Sequence, residues 1–240
     1  MKKVGLITYH ASHNIGSMLQ TYAMINLIKK RYDLDVEVIN FSSLKQQNLY
    51  SFYYKNDSFK NVVKNLIITA MYPFFKKRYN DFADFIENSF PLSGEKRSSI
   101  EEIDTSQYDI LVCGSDQIWN VTCIDFDNAY FLPFGSEKRK IAYAPSLGGK
   151  NILKDVKNLD KYKSLLNEID HISVREKNGI KWLSEMTEKK VSLVPDPTLL
   201  FDADFWDNLE SSNKVNQRYI FFYGAAYYKN TFQVLKEISK

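Results

Sequence analysis

Lys3-Val-Gly-Leu-Ile-Thr-Tyr9, Ser17-Met-Leu-Gln-Thr-Tyr-Ala-Met-Ile-Asn-Leu-Ile-Lys-Lys-Arg31 and Asp35-Val-Glu-Val-Ile-Asn40 follow one another with only short breaks. The first stretch is short, apolar and partly β-branched, which marks a buried strand. The second places Met18, Leu19, Tyr22, Ile25 and Ile28 at helical spacing, with Ser17 as its expected N-cap. The third reads as another strand. Strand, helix and strand in succession form a βαβ unit, and such units build parallel sheets.

The same alternation runs outward along the chain. Residues 57–90 read as mostly helical, broken near Pro73, with Phe74, Arg78, Phe82, Phe85 and Ile86 forming a packing stripe. Strands are expected at 108–113, 140–144, 171–174 and 191–194, and helices at 155–169 and 176–186. This predicts an α/β fold, a Rossmann-like doubly wound parallel sheet. It fills a domain over 1–200, with a linker or crossover at 201–217. Residues 218–240 read as a strand at 218–223 and a helix from about 229, the first βα unit of an incomplete second domain. The alternative is that this pair completes the first sheet.

Composition narrows the function. The 240 residues are 44% hydrophobic and 25% charged, enough for a packed core. A net charge of +3 with scattered basic residues gives no concentrated face for nucleic acid. The densest basic run, Lys76-Lys-Arg78, suits a solvated helix face. Cys113 and Cys123 have neither metal-pair nor disulfide-framework spacing, so the chain reads as reduced and cytoplasmic. No apolar run is long enough to span a bilayer. The stretch 62–75 suits a buried or surface-lying amphipathic helix, which leaves peripheral membrane association open. No metal and no cofactor is expected. Sixteen Tyr and sixteen Phe could supply sugar-binding platforms or simply core.

In open parallel sheets, ligands bind beyond the carboxyl ends of the strands. The first such loop is His10-Ala-Ser-His-Asn-Ile-Gly16, polar and opening a helix, so its N–H groups suit an anion or a sugar hydroxyl. His10 and His13 are candidates for hydrogen bonding or proton transfer. The second is Gly114-Ser-Asp-Gln-Ile-Trp-Asn120, where glycine permits a tight turn. Ser115, Asp116 and Gln117 supply short polar groups there, and Trp119 a ring face; Asp116 as a turn or cap residue and Trp119 as core are the alternatives. Arg175 stands at a strand end, where a guanidinium forks onto a carboxylate or phosphate, or else pairs with Glu176 or Asp196. Pro195 and Pro197 hold Asp196 between them.

Several stretches resemble one family. Gly5-Leu-Ile-Thr-Tyr-His10 with Asn14-Ile-Gly-Ser-Met-Leu-Gln-Thr-Tyr-Ala23 is similar to the start of polysaccharide pyruvyl transferases. So are Asp109-Ile-Leu-Val-Cys-Gly-Ser-Asp-Gln-Ile-Trp-Asn120, Ala142-Tyr-Ala-Pro-Ser-Leu-Gly148, Ser173-Val-Arg-Glu176 and Pro195-Asp-Pro-Thr-Leu-Leu200. The resemblance implies a GT-B-like pair of Rossmann-like halves with the site in the cleft between them. It implies transfer of a pyruvyl ketal from phosphoenolpyruvate to two hydroxyls of a glycan sugar, with release of phosphate, in exopolysaccharide or wall-polymer synthesis. Arg175 matches the family's strand-end arginine and becomes the catalytic candidate that contacts phosphoenolpyruvate. Asn14, Gly16, Gln20, Gly114, Ser115, Asp116 and Gln117 fall in the matching stretches and become candidates for binding the acceptor glycan. Family members are longer, and their general-acid histidine lies in the second half, in a pattern that no stretch after Asp170 supplies. Transferase activity is therefore expected only if a second domain completes the site. The alternatives are a non-catalytic sugar- or anion-binding module, or the acceptor half of a GT-B glycosyltransferase.

Overall fold

The computed structural model describes residues 1–209, 217–222 and 230–239. The chain divides into two compact units, Met1–Phe201 and Asp202–Lys240. The first unit holds β1 (Lys3–Ile7), α1 (Ile15–Asn26), β2 (Asp35–Val38), α2 (Leu44–Leu49), α3 (Phe59–Ala70) and α4 (Tyr72–Ser89). It continues through β3 (Ile110–Cys113), β4 (Arg139–Ala142), α5 (Ile152–Asp155), α6 (Leu159–Asn167), β5 (His171–Val174), α7 (Lys177–Leu183) and β6 (Val191–Leu193). The strands form one six-stranded sheet in the order β2-β1-β3-β4-β5-β6, and every pairing is parallel.

The period of two along the strands divides the core. Val4, Leu6, Val36, Val38 and Val112 point to one face, where Met18, Met24, Ile25 and Ile28 of the first helical segment cover them. Phe82, Phe85 and Ile86 of α4 pack against the same cluster. Ile7, Leu111, Cys113, Ala142, Ile172 and Val174 point to the other face, beneath Trp119, Phe131, Leu166 and Leu183. Both faces are thus buried, as an all-parallel sheet requires.

Several expected boundaries move. Asn14, not Ser17, caps α1; its side-chain oxygen accepts from the N–H groups of Gly16 and Ser17. The expected helix at 155–169 is the shorter α6, which starts at Leu159 because Asn158 caps it, and a separate short helix, α5, precedes it with Asn151 as its cap. Pro73 falls in the first turn of α4, where a missing N–H costs nothing.

In the second unit, α8 (Ala203–Asp207) and α9 (Thr231–Ile238) are the described helices. Residues 217–222 carry no strand, and Tyr219, Ile220, Phe221 and Phe222 are exposed. The rest of the expected βα unit, at 223–229, lies outside the described residues.

Candidate functional site

β2 lies on one side of β1 and β3 on the other. The chain therefore reverses its winding between β1 and β3, and the crevice at their carboxyl ends is the place where such sheets bind ligands. The loops after β1 and β3 both open there.

Gln20, buried on α1, joins the two loops. Its amide nitrogen donates to Thr8 Oγ1 at 2.9 Å and Thr21 Oγ1 at 2.8 Å, and its amide oxygen accepts from Ser115 N–H at 3.1 Å. Thr8 Oγ1 in turn donates to the Ser115 carbonyl at 3.3 Å. Ser17 Oγ donates to Asp116 Oδ2 at 2.5 Å. Asp116 is held further by Gln117 N–H on its Oδ1 at 2.7 Å, and its carbonyl accepts from Ser146 N–H at 2.7 Å.

Gly114 makes the turn possible. Its φ of +125° is unfavourable for any side chain, and a Cβ there would collide with the Tyr143 carbonyl. The expectation that glycine serves a tight turn at this strand end is met.

The loops after β5 and β6 join the same network. Arg175 donates from Nε to Glu176 Oε1 at 3.0 Å and from NH1 to Asp196 Oδ2 at 2.8 Å. Ser115 Oγ lies 2.9 Å from Asp196 Oδ2 and 3.0 Å from the Ala144 carbonyl, and its single proton serves one of them at a time. Asp196 Oδ1 accepts from both Thr198 N–H and Thr198 Oγ1. Burial pushes the Asp196 carboxyl up, but the Thr198, Ser115 and Arg175 hydrogen bonds outweigh it and hold the carboxyl below its ordinary range. Burial likewise works against the charged Arg175, yet Glu176 and Asp196 raise its pKa. A guanidinium carries five N–H groups. Two are used here, so three have no partner among the described residues.

The candidates separate by access. Asn14, Gly16 and Gln117 are exposed, and Asp116 and Arg175 are half-buried, so all five are open to a ligand. Gln20, Gly114 and Ser115 are buried and form the floor. Arg175 does form both ion pairs weighed as its alternative role.

Where two readings stood open, burial decides between them. Trp119 presents no face to a sugar: it is fully buried, stacked on Phe131 at 4.7 Å, with Nε1 donating to the Tyr130 carbonyl at 2.9 Å. His10 is sealed in the core beside the Thr8 carbonyl and Asn40 Oδ1, and burial lowers its pKa to about 4. His171 is exposed at the amino end of β5, against Arg139, across the sheet from the crevice. Thr8, Ser17 and Asp196 emerge as the residues that tie the loops together. Their small polar side chains were visible in the sequence, but their partners lie about 80 to 110 positions away.

The motif stretches thus meet in one crevice. A family model described as polysaccharide pyruvyl transferase matches residues 14–239. The chain belongs to the polysaccharide pyruvyl transferase family. No curated protein and no solved structure matches it. Within this member of the family, the loops at 14–17, 114–117, 175–176 and 195–198 share one hydrogen-bond network.

Proposed function

We propose that the crevice at the carboxyl ends of β1, β3 and β5 takes part in transfer of a pyruvyl ketal from phosphoenolpyruvate to a glycan sugar. Arg175 contacts the donor, and Asn14, Gly16, Asp116 and Gln117 contact the acceptor. The observation that carries this is the chain Arg175–Asp196–Ser115–Gln20, which joins donor-side and acceptor-side loops through bonds of 2.8 to 3.1 Å. Gln20, Gly114 and Ser115 act from beneath, holding the loops in place. Asp196 aims the guanidinium, and its three spare N–H groups suit a carboxylate or phosphate.

A GT-B-like arrangement belongs to this proposal, with 1–200 as the N-terminal domain, 201–217 as linker and 218–240 as the opening of a second domain. So do a cytoplasmic location and a role in exopolysaccharide synthesis. Sugar or anion binding without turnover is the second reading. It is favoured by the placement of His10 in the core and of His171 at the amino end of β5, and by the packing of His13, next to Asn14, among Tyr50, Tyr79 and Phe82.

Among the described residues no helix is long and apolar enough to cross a membrane. Peripheral association is supported by the α3–α4 hairpin, where Phe59, Leu66, Ile67 and Phe74 are exposed among Lys60, Lys64 and Lys77. Flotation with anionic vesicles tests it, and Phe74→Ser is expected to reduce recovery.

Incubation with phosphoenolpyruvate and a glycan acceptor tests the main reading. It predicts an acceptor heavier by one pyruvyl ketal and an equivalent of released phosphate, both lost in Arg175→Ala. Sugar binding without either product would favour the second reading.

A further inference from the structure

Beside the β1–α1 loop, the end of α2, the loop at 50–54 and the α3–α4 pair line an open-sided cavity of about 300 Å³. Its wall is built of rings. His13 stacks on Phe82 with centroids 5.2 Å apart and planes within 7°, and meets Tyr79 edge-on at 4.7 Å. Phe52 meets Tyr79 edge-on at 5.5 Å, and Tyr50 leans on His13 at 5.8 Å. These contacts fix the rings, so the wall is formed before any ligand arrives.

Arg78 lines the same cavity, and no acidic residue does. Arg78 makes no ion pair among the described residues. The imidazole of His13 does not share its charge, because burial, and then Arg78 and Lys96, lower its pKa. Lys76 Nζ lies 5.5 Å from the centroids of both Phe52 and Tyr79, so the cavity combines aromatic rings with the Arg78 guanidinium and a second cation at its wall.

That combination has a chemical counterpart. A pyranose packs its C–H face on rings, and an anionic substituent forks onto a guanidinium. The volume sits at the lower end of small-molecule sites, which run from about 300 to 1,000 Å³, and so suits one sugar unit and not a long oligosaccharide. His13 also adjoins Asn14, so the cavity opens next to the proposed acceptor loop.

We infer that this cavity is a subsite for a sugar bearing an anionic group, carboxylate or phosphate, held by Arg78 against the ring wall. The inference rests on the transferase reading only in making that sugar part of the acceptor. It also deepens that reading, since it makes the acceptor an acidic glycan or a sugar phosphate.

Calorimetry on the full chain with methyl glucoside, methyl glucuronide and glucose 1-phosphate tests it. At least one of the two anionic sugars binds more tightly than the glucoside, and whichever binds more tightly names the anion. Arg78→Gln weakens the anionic probes about tenfold, as loss of a charge-assisted hydrogen bond implies, and leaves the glucoside nearly unchanged. Tyr79→Ala weakens all three. Arg78 is exposed on α4, so its glutamine variant keeps the fold, which circular dichroism checks. Neither anionic sugar bound above the glucoside, or no effect of Arg78→Gln, overturns the subsite. A parallel phosphoenolpyruvate titration separates the two claims. Donor binding without anionic-sugar binding overturns the subsite alone, and the reverse result overturns the donor site alone.

Discussion

Asp196 shows how much one carboxylate can hold. It accepts from Thr198, Ser115 and Arg175, so its loss leaves a half-buried guanidinium short of a partner. Asp196→Ala is expected to cost about 2–4 kcal/mol in urea unfolding. Because its folded pKa is lowered, its contribution is present above the ordinary carboxylate range and is lost as pH falls through the folded value. Asp196→Asn should therefore flatten the acid arm of the stability curve. His10 acts over a higher window. Its pKa of about 4 lies below the ordinary 6.5, so folding keeps it neutral. Stability from its burial is complete above about 6.5 and is lost as pH falls from there toward 4. His10→Gln should remove that slope, measured as unfolding free energy against pH. Gly114→Ala should cost at least about 3 kcal/mol, since it joins a positive φ to a collision with the Tyr143 carbonyl. The glycine, the prolines around Asp196 and the strand-end arginine were legible as residues. Their mutual contacts were not, because a single sequence carries no information about which loops meet.

The strands were the most legible elements, since buried parallel strands are short apolar runs with turn residues after them. Helix starts were less so. Asn14 caps α1 earlier than hydrophobic spacing alone suggested, Asn158 caps α6 later, and Asn151 caps a short helix that the spacing did not show. In the stretch after β3, two readings of Trp119 stood side by side, and the core one holds. Trp119 looked like a sugar platform because it follows small polar residues, but Phe131 and the Tyr130 carbonyl claim it from farther along the chain. Its emission should be blue-shifted and unmoved by sugars, and Trp119→Ala should cost about 3–5 kcal/mol as a buried aromatic deletion. The rings that do face a cavity lie in the loop at 50–54 and on α4, with His13 of the β1–α1 loop beside them, and the density of Tyr and Phe in those stretches was the available signal.

At the scale of the whole molecule, the order β2-β1-β3-β4-β5-β6 places the crevice proposed as the site. Loops far apart in sequence reach one place because the winding reverses beside β1. The proposal places the chemistry in that crevice, and the Arg175–Asp196 pair is the part most directly open to test. Calorimetric titration with phosphoenolpyruvate, comparing this chain with Arg175→Ala, is the most direct measurement. Binding by the natural chain that disappears in the variant is the predicted result. Failure of the natural chain to bind, or equal binding by both proteins, would contradict a donor site at Arg175.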